Sequence, residues 1–214
     1  MTYLEAVNSV LIRMREDTVL TLQGTDDVVV DLVKRYVNDA VLSVAQSHTW
    51  SALLDTWVFN TTEGASEVVL SGDSKVNVID VIYAPNGMEL RNESRARIIQ
   101  RRLTGDHTGT PHYYAVNGKA GGQVTLTMWP TPVSAESFTV VGHAEHGVLS
   151  LDSDVITVPF KPVEHLALVY AARERGEVGA QTVPELLGIA SQSLSDAIAL
   201  DAANTPLDNL WISV

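Results

Sequence analysis

The hydrophobic period of this chain changes twice, from helical to alternating and back, and that double change constrains the architecture more than any other feature. Thr2 and Glu5 have the spacing of a capping box, and Leu4, Val7, Leu11 and Met14 then recur at helical intervals to about Glu16. After Gly24, Thr25 or Asp26 is placed to cap a longer helix whose stripe is Val29, Val33, Tyr36, Val37, Ala40, Val41 and Val44. Valine is a weak helix former, so packing along that stripe must supply what propensity does not.

From Trp57 to about Val148 the texture becomes short β-branched runs, among them Glu67 to Leu70, Val76 to Tyr83, Gln123 to Trp129 and Phe138 to His143. Pro85-Asn86-Gly87, Gly121-Gly122 and Pro130-Thr131-Pro132 supply turns, and Val124 to Met128 alternates as a strand with one buried face. A short helical pattern with Ile98, Ile99 and Leu103 interrupts these strands. Beyond Pro159 the helical period returns in Val163, Leu166, Ala167, Val169, Tyr170 and Ala171, ending near Gly176 or Gly179. Pro184 opens a last helix carried by Leu186, Leu187, Ala190, Leu194, Ile198 and Ala202. The expected class is α+β: residues 1–55 and 159–203 form a helical bundle, and residues 56–158 a β-rich insertion, a small sandwich or barrel. An extended tail over 204–214 completes one chain-level domain.

The 214 residues contain no cysteine, which removes disulfides, thiolate metal sites and cysteine nucleophiles. No apolar run approaches the roughly 20 residues that cross a bilayer, and Met1 to Glu5 lack the basic start of a secretory signal. Synthesis in the cytosol, without a membrane, is the expectation. With 26 acidic against 14 basic side chains the formal charge is −12, which on average repels a phosphate backbone.

The chain offers little chemistry. His143 and His146 flank Glu145, but on a strand the two rings would point to opposite faces, so no shared metal is expected. Asp152 and Asp154 read as a solvated loop leading to a strand rather than as catalytic carboxylates. The G-x-S-x-G, P-loop and G-x-G-x-x-G signatures are absent. No catalytic residue, cofactor or metal is assigned, and the chain reads as a structural subunit rather than an enzyme.

Two features point instead to partners. Arg91, Arg95, Arg97, Arg101 and Arg102 gather five basic residues in twelve positions, open to three readings: subunit contact, solvated face, or DNA contact. Leu207, Leu210, Trp211 and Ile212 load a short terminal tail with apolar side chains that must dock, on a neighbour or on the bundle of their own chain. Trp50 and Trp57, after the second helix, read as packing residues.

The order of these segments resembles the tail tubular protein A family of short-tailed bacteriophages. The resemblance rests on Ala6-Val7-Asn8-Ser9-Val10-Leu11, on Ser47-His48-Thr49-Trp50 leading into strands, and on Gly109-Thr110-Pro111-His112-Tyr113-Tyr114. Met128-Trp129-Pro130-Thr131-Pro132 and Leu151-Asp152-Ser153-Asp154 before Pro159 are similar to related adaptor and head-completion proteins. The resemblance implies a virion protein without an active site: a dodecameric ring under the portal, joining the capsid to the tail nozzle, with DNA passing through the lumen. It also implies that the terminal segment holding Leu207 to Ile212 contacts the portal. Another tail-tube or baseplate component is the alternative on the same fold, and a cell-wall hydrolase using Asp152 and Asp154 the alternative of another class.

Overall fold

A computed structural model describes residues 1–24, 26–70, 76–105, 107–120, 123–175, 177–178 and 181–204. The chain packs as two units: Met1–Ala52 together with the chain from His146 onward, and Leu53–Glu145.

The first unit is helical. Its elements are α1 (Tyr3–Arg13), α2 (Val28–Ser47), α4 (Phe160–Arg175) and α5 (Val183–Asn204), with α4 packed on each of the other three. The capping box of α1 forms: Glu5 N donates to Thr2 Oγ1, and Thr2 N to Glu5 Oε2. The cap of α2 is Asp27, whose carboxylate accepts from Val29 N, one or two residues later than the sequence pattern placed it. Val33, Val37, Ala40, Val41 and Val44 are buried as that pattern required, as are Val7, Val10 and Leu11 of α1 and Val163, Ala167 and Ala171 of α4, and the three helices pack on one another. A short hairpin, β8 (Glu177–Val178) with β9 (Gln181–Thr182), precedes α5.

Residues 146–158 belong to this helical unit, whereas the sequence pattern assigned them to the β-rich stretch. Asn38 on α2 holds Leu149 by both backbone groups, accepting from its N–H at 2.8 Å and donating to its carbonyl at 3.1 Å. Tyr3 N donates to Asp154 O and Ile156 N to Met1 O, so the segment lies along the start of α1. The strand expected after Asp154 is a single bridge between Thr2 and Val155.

One charge is sealed into this unit. Glu164 on α4 is 2% exposed and accepts hydrogen bonds from Ser9 Oγ, Arg13 Nε and Lys161 Nζ. Burial alone would raise its pKa; Ser9, Lys161 and Arg13 outweigh that and hold it below the usual carboxylate range. The bound proton therefore prefers the unfolded chain, so this stabilisation is present above about pH 4.3 and fades as pH falls through the lower folded value. Glu164→Gln is expected to cost about 2 kcal/mol at neutral pH. The variant should also lose less stability than the parent on acidification, read as denaturation midpoints on either side of about pH 4.

The second unit is a sandwich of two open sheets. One has the order β1 (Leu54–Asn60), β7 (Ser137–Ala144), β3 (Val76–Tyr83). The other runs β2 (Glu67–Leu70), β6 (Gln123–Trp129), β5 (Tyr113–Ala120), β4 (Arg91–Asn92). Phe59, Ile82, Phe138 and Val140 from the first and Val68, Tyr114, Leu126 and Met128 from the second share one core, with Trp57 packed against it. Each sheet keeps free edges, so of the two sequence alternatives the barrel is discarded. Thr127, whose hydroxyl pairs with the Asn117 side chain, is buried against the simple alternation of β6. Among the described residues no helix is long and apolar enough to cross a membrane.

Candidate functional site

The arginine cluster is built on α3 (Arg95–Thr104), which starts where Ser94 accepts from Arg97 N and ends at Gly105. Ten residues are too few to hold a helix in water, so contact with the four-stranded sheet must hold this one. Only Ile98 is buried. Its flanking neighbours at helical spacing, Arg101 and Arg102, are spent on the same anchoring. Arg101 donates to both carboxylate oxygens of Glu93, at 3.0 and 2.8 Å. The same guanidinium lies 4.3 Å from the Tyr113 ring centre and 5.1 Å from that of Trp129. Its hydrogen bond is the main reason that Glu93 sits below the usual carboxylate range. Arg102 donates to the carbonyl of Met128 at 3.1 Å.

The five arginines therefore divide, which corrects their reading as one contact strip. Arg101 and Arg102 are half-buried structural residues, while Arg91, Arg95 and Arg97 are exposed. Ile99 and Leu103, which with Ile98 gave the helical pattern, face outward at 46% and 84% exposure. Helical phase explains their exposure. Ile98 and Ile99 stand about 100° apart, so a short helix with Ile98 inward must turn Ile99 and Leu103 away. That signal was present in the sequence; the partnership of Arg101 with Glu93, Tyr113 and Trp129 was not, because it depends on which strands lie beneath the helix.

Replacing Arg101 by alanine is expected to loosen the last turn of α3 from the sheet, seen as faster amide exchange over Ile99 to Leu103 with the sandwich core unchanged. Lysine should recover only part of the protection, since an ammonium cannot span both Glu93 oxygens while lying flat on two rings.

The other sequence candidates are occupied locally. His143 Nδ1 lies 3.1 Å from Asp80 Oδ2 in the strand unit, while His146, in the helical unit, has Nδ1 2.7 Å from the Gly147 carbonyl. Among the described residues no three His, Asp or Glu side chains are grouped to hold a metal ion. Asp152 accepts from Thr21 Oγ1 and Leu22 N, and Asp154 from the backbone of Ser150 and Leu151. Those two backbone N–H groups hold Asp154 below the usual carboxylate range, as suits a loop staple rather than an acid catalyst. Leu207, Leu210, Trp211 and Ile212 lie outside the described residues.

The exposed side of α3 thus presents an apolar line, Ile99 and Leu103, beside Arg95. No family model matches this chain, and no curated protein matches it either.

Proposed function

We propose that this chain is a structural virion subunit: a head-to-tail adaptor that closes into a ring between the portal and the tail nozzle of a short-tailed phage. The observation that carries the reading is the outward face of α3. Large apolar side chains exposed beside arginines, in a chain of formal charge −12, favour association with acidic protein surface over solvation. The resemblance of the segment order to the tail tubular protein A family supports the same reading. On it, the arginine face is a subunit contact and the tail bearing Leu207, Leu210, Trp211 and Ile212 docks on the portal. DNA passes through the lumen without being held, since a net acidic wall does not retain phosphates.

Sedimentation velocity and negative-stain imaging of the purified chain test the reading, with and without portal rings. A closed ring, dodecameric as the resemblance implies, that binds the portal is the expected result. A chain that stays monomeric at every concentration and ignores the portal overturns it. Rings that form but do not bind the portal replace the adaptor with a more distal tail component.

A further inference from the structure

We infer that the contact between successive copies is α3 of one copy lying on the exposed flank of α5 of the next, leucine and isoleucine packed together and arginine set against carboxylate. The inference rests on the ring reading and names the two surfaces that would build the ring.

Helix α5 turns Leu186 and Ala190 inward. On the flank beside that buried face Ile189, Asp196 and Leu200 follow one another in steps of seven and four, which places them on a single line, with Asp196 accepting from Gln192 Nε2 of its own helix. Ile189 is 39% and Leu200 67% exposed. On α3 the outward line is Arg95, Ile99, Leu103, in steps of four. Each line is a mixed apolar and charged stripe.

Their charges are complementary. With Arg101 and Arg102 bound to Glu93 and Met128, α3 still exposes Arg95 and Arg97 and holds no acid; with Glu185 bound to Thr182 and Asp201 to Ser51 and His48, α5 still exposes Asp196 and holds neither lysine nor arginine. Opposite charge favours the mixed pairing, and a contact between two different surfaces propagates until it closes.

The spans also agree. Arg95 and Leu103 are eight residues apart, about 12 Å of helix, while Ile189 and Asp196 are seven apart, about 10 Å. An antiparallel placement therefore lets Leu103 meet Ile189 while Arg95 reaches Asp196.

The test uses two full-length variants, Leu103→Asp and Ile189→Asp, whose altered side chains are exposed so that folding, checked by circular dichroism, is retained. Each alone should need roughly tenfold or more higher concentration to assemble. An equal mixture should stop at a dimer, because one copy keeps α3 and the other keeps α5, so one sound contact forms and both outer ends are blocked. Independently, Arg95→Glu should weaken assembly and Arg95→Glu/Asp196→Arg should restore it, which keeps the question open to disproof if an aspartate variant fails to fold. Rings of parental strength in the variants overturn this contact and leave the ring reading standing. A parent chain that never assembles overturns both.

Discussion

Trp50→Ala is expected to destabilise the helical unit by about 3–5 kcal/mol, the range for emptying a large buried aromatic site. Trp50 has no exposed surface, its ring meets His48 edge-on at 5.0 Å, and its indole N–H donates to the Val44 carbonyl at 2.7 Å. That carbonyl is among the last four of α2, which no helical N–H can satisfy. Two effects compete to set the cost. The hydrogen bond contributes roughly 1 kcal/mol, and Val44 keeps a second donor in Ser47 Oγ. Packing therefore dominates, and Trp50→Phe should recover most of the loss although it restores no donor. Urea denaturation of the three proteins decides the matter: if phenylalanine is as harmful as alanine, the indole N–H and not the ring volume is what α2 needs.

The second large effect is expected from the smallest residue of the sandwich. Gly142 on the central strand β7 faces the irregular stretch of β3, where register shifts occur between Val76 and Val78 and between Ile79 and Val81. A β-carbon at 142 would stand 2.2 Å from the Val78 carbonyl oxygen and 3.1 Å from Ile79 Cα. Both obstacles are backbone, so β3 itself must move, and Gly142→Ala should cost about 3 kcal/mol or more. Because the first carbon already collides, valine should add little to the loss caused by alanine. Amide exchange along β3 and β7 measures it; an alanine variant with parental protection would mean that the two strands are not held this closely.

The parts legible in the sequence are those written in short-range order. Thr2 with Glu5, and the stripe from Val33 to Val44, specify α1 and α2 because capping and amphipathic period act within a few residues. The α+β class followed from where the period switches. What escaped is long-range. Nothing local announces that Glu164 will be buried, since its three donors come partly from Ser9 and Arg13, more than 150 positions away. Nor does local order say that Asn38 will bracket Leu149, the contact that draws residues 146–158 to the helices and moves the unit boundary. At the arginine cluster the residues were found but their division was not: Arg101 is claimed by Glu93 and by rings on β5 and β6, and only the sheet register puts those rings within reach.

The strand unit begins and ends on one ladder, for Leu54 at its start pairs with His143 near its end. Antiparallel partners stand about 5 Å apart, so the polypeptide enters and leaves this module through neighbouring stumps. A tight turn could rejoin them, which makes the module a natural unit for transplantation: it can be excised, exchanged for another of similar footing, or grafted elsewhere without rethreading the helices.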